Sequence, residues 1–176
     1  MSFTENHLIQ ILPNINNLRF LNSERGFQGQ LVAELNQYLI KAQMFPNECI
    51  IEQEFQKTIK HHNITQRPDI IIHVPIESNL TTDRTKYNYY VIALKRNSSL
   101  AEAINDFMKL DEMFEKLHYQ EGVFVNINAK RLLLSNYDGK YKNRINEISI
   151  TWVDNIFTMT HSKFRNNRIV SSKFYY

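Results

Sequence analysis

One cysteine in 176 residues, Cys49, excludes an internal disulfide and any zinc site built on cysteine. With 4 glycines and 4 prolines there is no flexible linker and no low-complexity tract. No apolar run approaches the ~20 residues needed to span a bilayer. The opening MSFTENHLIQILPN lacks the basic start and small-residue cleavage site of a secretory signal. These absences predict a cytoplasmic protein with no membrane partner. Covalent catalysis also lacks its usual parts: there is no Gly-rich phosphate loop, no G-x-S-x-G, and no histidine placed to activate Cys49.

What is present suits one globular domain. A hydrophobic fraction of 43% and a charged fraction of 22% are ordinary for a folded chain of this length, which can bury one sizeable core. The net charge of +3 is unevenly spread. From Lys130 to Tyr176 there are nine Lys/Arg and three Asp/Glu, whereas residues 1–129 are acidic on balance. A basic, aromatic-rich C-terminal third suits a polyanion such as nucleic acid, although a solvated basic face has the same composition.

Hydrophobic periodicity divides the chain further. Phe27, Leu31, Leu35, Tyr38 and Leu39 form one stripe of a helix that follows Ser23 and runs to about Ala42. ECIIEQEFQK reads as a strand, with Glu52 and Glu54 on one face and Ile51 and Phe55 on the other. PDIIIHVP, bounded by Pro68 and Pro75, reads as a buried strand. YYVIALK is a third strand. Ser99 and Glu102 form an S-x-x-E capping box ahead of an apolar helical stripe from Leu100 to Leu117. GVFVNINA is a fourth strand. Beyond it the pattern predicts a turn at Asp138-Gly139, a strand near Ile148 to Val153 and a basic tail of helical character. Helix, three strands, helix, strand is an α/β arrangement: a mixed β-sheet of about four to five strands flanked by helices. The predicted core covers about residues 24–129, and residues 130–176 form a basic C-terminal extension of the same single domain.

Three charged residues stand out within that order. Asp69 follows Pro68 at the start of a buried strand, where its side chain is held rigidly. Lys95 ends the next apolar strand. Glu34 sits on the apolar stripe of the first helix, and a carboxylate there needs a compensating partner such as a metal ion or a basic side chain. Each also has a plainer reading: Asp69 as a turn cap, Lys95 as a surface lysine. His61-His62, in a polar turn, are given no role.

This constellation resembles the PD-(D/E)XK nuclease superfamily, of restriction-endonuclease-like fold. The resemblance spans roughly Phe27 to Ala129. It implies a Mg²⁺-dependent endonuclease acting on nucleic acid, most simply DNA, with Mn²⁺ able to substitute. Asp69 and Glu34 would be the metal ligands, and Lys95 would serve the attacking water and the phosphate. Arg67, Arg96 and Asn97, with Lys163, Arg165 and Arg168 of the basic third, are the expected phosphate contacts. Cutting both strands would require two copies, hence a homodimer or a place in a larger complex.

Ala93 departs from the motif. Alternation puts residues 91, 93 and 95 on one face, so Ala93 points where a second metal-binding acid is expected. Either the acid was removed by substitution, or the natural chain lacks it. In the second case another acid, with Glu52 and Glu54 as candidates, takes its place, or activity is lost. A non-catalytic nucleic-acid-binding module, or an interaction subunit that keeps the fold, is the alternative to the nuclease.

Overall fold

A computed structural model describes residues 2–56, 64–75, 78, 83, 85–154 and 156–176. Seven strands form one mixed sheet in chain order: β1 (Ile50–Gln53), β2 (Ile70–His73), β3 (Asn88–Arg96), β4 (Glu121–Ile127), β5 (Ile145–Val153), β6 (Ile156–Arg165) and β7 (Arg168–Tyr175). β1, β2 and β3 pair antiparallel, β3, β4 and β5 are parallel, and β6 and β7 return antiparallel. Helix α1 (Glu24–Ala42) precedes β1, and α2 (Leu100–Leu117) crosses from β3 to β4. No helix among the described residues is long and apolar enough to cross a membrane.

Local chemistry sets the helix ends. The Ser23 side chain accepts from the Gly26 N–H and starts α1, which stops at Gln43 with φ 48°. Ser99 and Glu102 close a reciprocal capping box on α2, which stops at His118 with φ 57°. Their stripes then select opposite faces of the sheet. Phe27, Leu31 and Leu35 of α1 pack with Ile70, Ile72, Ile92, Leu94, Val123 and Val125. Phe107, Leu110 and Phe114 of α2 pack with Ile71, Val91 and Phe124. β2 is buried on both faces, which explains its unbroken isoleucine run.

Two features lie outside the predicted plan. Residues before α1 add helical turns (Thr4–Leu8, Ile9–Ile11 and Leu12–Asn14) that plug the α1 face with Phe3, Leu8, Leu12 and Ile15. The basic tail is a β-hairpin, not a helix, so the sheet has seven strands and not four to five. Asn166 and Asn167 turn that hairpin at φ 50° and 60°, a left-handed pair that Asn tolerates better than most residues.

Candidate functional site

Asp69 stands just before β2 and is fixed through its backbone and its side chain. Its carbonyl accepts from Gln28 Nε2 of α1 at 2.8 Å and from the Glu54 N–H at 3.0 Å. Its Oδ2 accepts from the Leu94 N–H of β3 at 2.7 Å, finishing the ladder where β2 has not yet begun. Burial pushes the carboxyl pKa up to about 6; the Leu94 N–H and Lys95 oppose the rise, and the charges of Glu24 and Asp106 add to it.

Lys95 ends the adjoining strand on the face shared by Val91 and Ala93. With Asp69 it lines a pocket of about 140 Å³, walled further by Arg67, Pro68, Ala93 and, from α2, Asp106 and Lys109. Space of that order holds several waters or a phosphate group. Ala93 contributes only a methyl to this wall, and the acid on the opposite wall comes from α2. Asp106 is 5% exposed; its Oδ1 accepts from Lys109 Nζ at 2.7 Å, and its Oδ2 has no hydrogen-bond partner among the described residues. An unsatisfied buried carboxylate oxygen is costly, so its retention in a pocket wall is informative.

The other predicted residues are dispersed. Glu34 accepts from Asn14 Nδ2 at 3.0 Å and from Gln30 Nε2 at 2.9 Å, on the helix that covers the opposite face. Six residues separate it from Gln28, about 9 Å along the α1 axis. The α1 acid whose charge reaches Asp69 is Glu24, in the first turn. The sequence gives it no distinction from any other acid in a first helical turn. Asp106 was legible in principle: it interrupts the apolar stripe of α2 between Ala103 and Leu110.

Glu52 pairs with His73 Nε2 at 2.7 Å and Glu54 lies 3.7 Å from Arg67 of the pocket wall, and neither candidate replacement acid lines the pocket itself. Arg96 is exposed and alternates away from Lys95, and Asn97 is a turn residue with φ 52°. Lys163 and Arg165 both bind Glu5 of the N-terminal segment, Arg165 at 2.8 Å. Arg168 is exposed at the hairpin turn. His61 and His62 lie outside the described residues.

Among the described residues no group of three or more His, Cys, Asp or Glu is arranged to hold a metal ion. The pocket offers two carboxylates, Asp69 and Asp106, beside two ammonium groups, Lys95 and Lys109. Hard oxygen donors of this number fit Mg²⁺, which is usually held by one or two carboxylates and keeps several waters. No family model, no curated protein and no solved structure matches the chain.

Proposed function

We propose that the chain is a Mg²⁺-dependent nuclease, acting on DNA, whose reaction centre is the pocket between Asp69, Lys95 and Asp106. One observation carries the reading: an acid from the start of β2, a lysine near the end of β3 and a buried acid from α2 line a single cavity that reaches the carboxyl end of the parallel strand β3. Ligands of open α/β sheets gather at such ends.

The roles follow from charge and position. Asp69, with Oδ2 engaged by Leu94, and Asp106, with Oδ2 unpartnered among the described residues, are the carboxylates that would hold the cation. When bound, Mg²⁺ would lower the pKa of a coordinated water and neutralise charge on the phosphate. Lys95 places a positive charge where the phosphodiester gains negative charge in the transition state. Ala93 leaves room for the phosphate, and Lys109 balances Asp106 while no cation is present. Glu34 has no part in this reading. A duplex cut on both strands needs two copies of a single-site chain.

The test is incubation of the purified chain with DNA and with RNA, plus Mg²⁺ or Mn²⁺, with a chelator control. Cleavage should require the metal and fall on the order of 10²-fold or more in Lys95→Ala. Cleavage that survives in both Lys95→Ala and Asp69→Asn overturns the assignment.

A second reading rests on Ala93 itself. If the pocket binds nucleic acid and cuts nothing, the chain is a non-catalytic module. Ala93→Glu would then add a third carboxylate beside Lys95, strengthen cation binding and confer cleavage that Lys95→Ala removes. An inert Ala93→Glu that folds and binds nucleic acid favours the module.

A further inference from the structure

The face of the sheet that carries Lys95 does not end with the pocket. Register places Lys95 opposite Asn126, Asn126 opposite Ser149, Ser149 opposite Thr160 and Thr160 opposite Lys173. Partners in a ladder share a face, so one polar row crosses five strands. At about 4.8 Å per strand its ends are ~19 Å apart. The next row, Thr151, Thr158 and Tyr175, is polar as well. Under α2 the same face is apolar, with Val91 and Phe124. Beyond α2 it becomes a trough of about 360 Å³, floored by Ser149, Thr151, Thr158 and Thr160 and flanked by Lys130, Lys173 and Tyr175.

The trough has the parts of a backbone-tracking groove. Three of its hydroxyls, those of Thr151, Thr158 and Thr160, make no hydrogen bond among the described residues and so can donate to phosphate oxygens. Lys130 and Lys173 are exposed, and neither is in a salt bridge among the described residues. Asp154 is the one acid of the lining. Tyr175 is 64% exposed, unusual for a large ring on a sheet, and Lys173 Nζ lies over the ring, 5.1 Å from its centroid. A cation held against an exposed aromatic ring suits a stacked base next to its phosphate. By contrast Lys163 and Arg165 of the same hairpin are taken by Glu5.

We propose that this trough holds a single-stranded segment of nucleic acid, its phosphates on Lys130 and Lys173 and a base stacked on Tyr175, and delivers that strand to the Asp69–Lys95 pocket. The inference deepens the nuclease reading by naming the substrate's form and path, and it rests on that reading only for the delivery step. Binding by itself does not depend on the pocket's chemistry.

The experiment measures binding of short fluorescein-labelled oligo(dT) by anisotropy in chelator, over a salt series, with folding checked by circular dichroism. Lys130→Glu with Lys173→Glu should weaken binding at least tenfold. Loss of two phosphate contacts should flatten the log–log salt slope by about 1.4. Tyr175→Ala should weaken binding roughly five- to a hundredfold with the slope unchanged. Lys41→Glu with Lys116→Glu, the same charge change far from the trough, should match the parent apart from a small general loss. Equal losses in the two double variants would reduce the effect to net charge and overturn the site. So would full binding by the trough variants, or a preference for duplex over oligo(dT). If the trough variants lose binding while the parent cuts nothing, the strand site stands and the nuclease reading falls. If they bind normally while Asp69→Asn abolishes cleavage, the nuclease stands and this site falls.

Discussion

Glu147 and Asp106 are both buried acids on the α2 face of the sheet, and their surroundings differ. Glu147 accepts from the Leu133 N–H at 2.8 Å and the Leu134 N–H at 2.8 Å, and from Ser162 Oγ at 3.3 Å. Burial still raises its pKa, the three donors opposing the rise. It ties the segment after β4 to β5 in place of a crossover helix, a structural duty with its donors in place. Asp106 has one partner, the ammonium of a half-exposed lysine, and one oxygen with none among the described residues. The contrast separates a carboxylate that the fold uses from one that the fold tolerates. Buried charge kept without full compensation is where function is worth seeking.

Substitution should sharpen that contrast. The largest effect is expected of Glu147→Leu, which strands two buried N–H groups and should cost about 3–5 kcal/mol, read as a lowered midpoint in urea. A loss under 1 kcal/mol would show that the segment after β4 needs no anchor.

Asp69→Asn comes next and has the opposite sign. The folded-state pKa of Asp69 is raised from 3.8 to about 6. Its favourable contribution is therefore complete below pH 4 and is lost as pH rises through about 6. The amide keeps an acceptor for the Leu94 N–H, so the variant should be more stable than the parent by about 1–2 kcal/mol at pH 8, a figure reduced for partial exposure, and equal to it near pH 4. His161, whose pKa burial lowers to about 4, works the other way over an overlapping window. Subtracting the parent curve from the variant curve removes that term. Equal stability at both pH values would mean that Asp69 carries no stored electrostatic cost.

Asp106→Leu should change stability least, between neutral and about 1 kcal/mol more stable, because it removes an unsatisfied oxygen and leaves Lys109 to solvent. The same variant should lose metal-dependent cleavage. Destabilisation comparable to Glu147→Leu would erase the distinction between the two acids.

The frame of the site was written in local signals. The S-x-x-E box, the Pro68-Asp69 start and the alternation that puts Ala93 with Lys95 each act within a few residues, and the observed order of α1, β1 to β3, α2 and β4 follows them. What escaped depends on distant partners. Glu34 looked like a buried acid on a stripe because nothing local announces Asn14, which meets it from before α1. The tail read as helical because its basic residues masked the alternation of Phe157, Met159 and His161. The signal for the hairpin was Asn166-Asn167, two residues that accept positive φ. Asp106 shares its helix face with core residues, and only the sheet beneath α2 shows that a pocket opens there.

The N-terminal segment has a consequence for the order of assembly. Ser2, Thr4 and the Phe3 N–H all donate to Glu121, and Glu5 grips Lys163 and Arg165 across 158 and 160 positions of chain. Residues 2–15 are synthesised well before their anchors, and Lys163 and Arg165 follow Glu5 roughly 8–30 s later at ordinary elongation rates. Phe3, Leu8, Leu12 and Ile15 must wait out that interval without their final cover. This segment is thus made well before it can lock, and a nascent chain halted before Lys163 would carry an unsealed apolar face that chaperones can grasp.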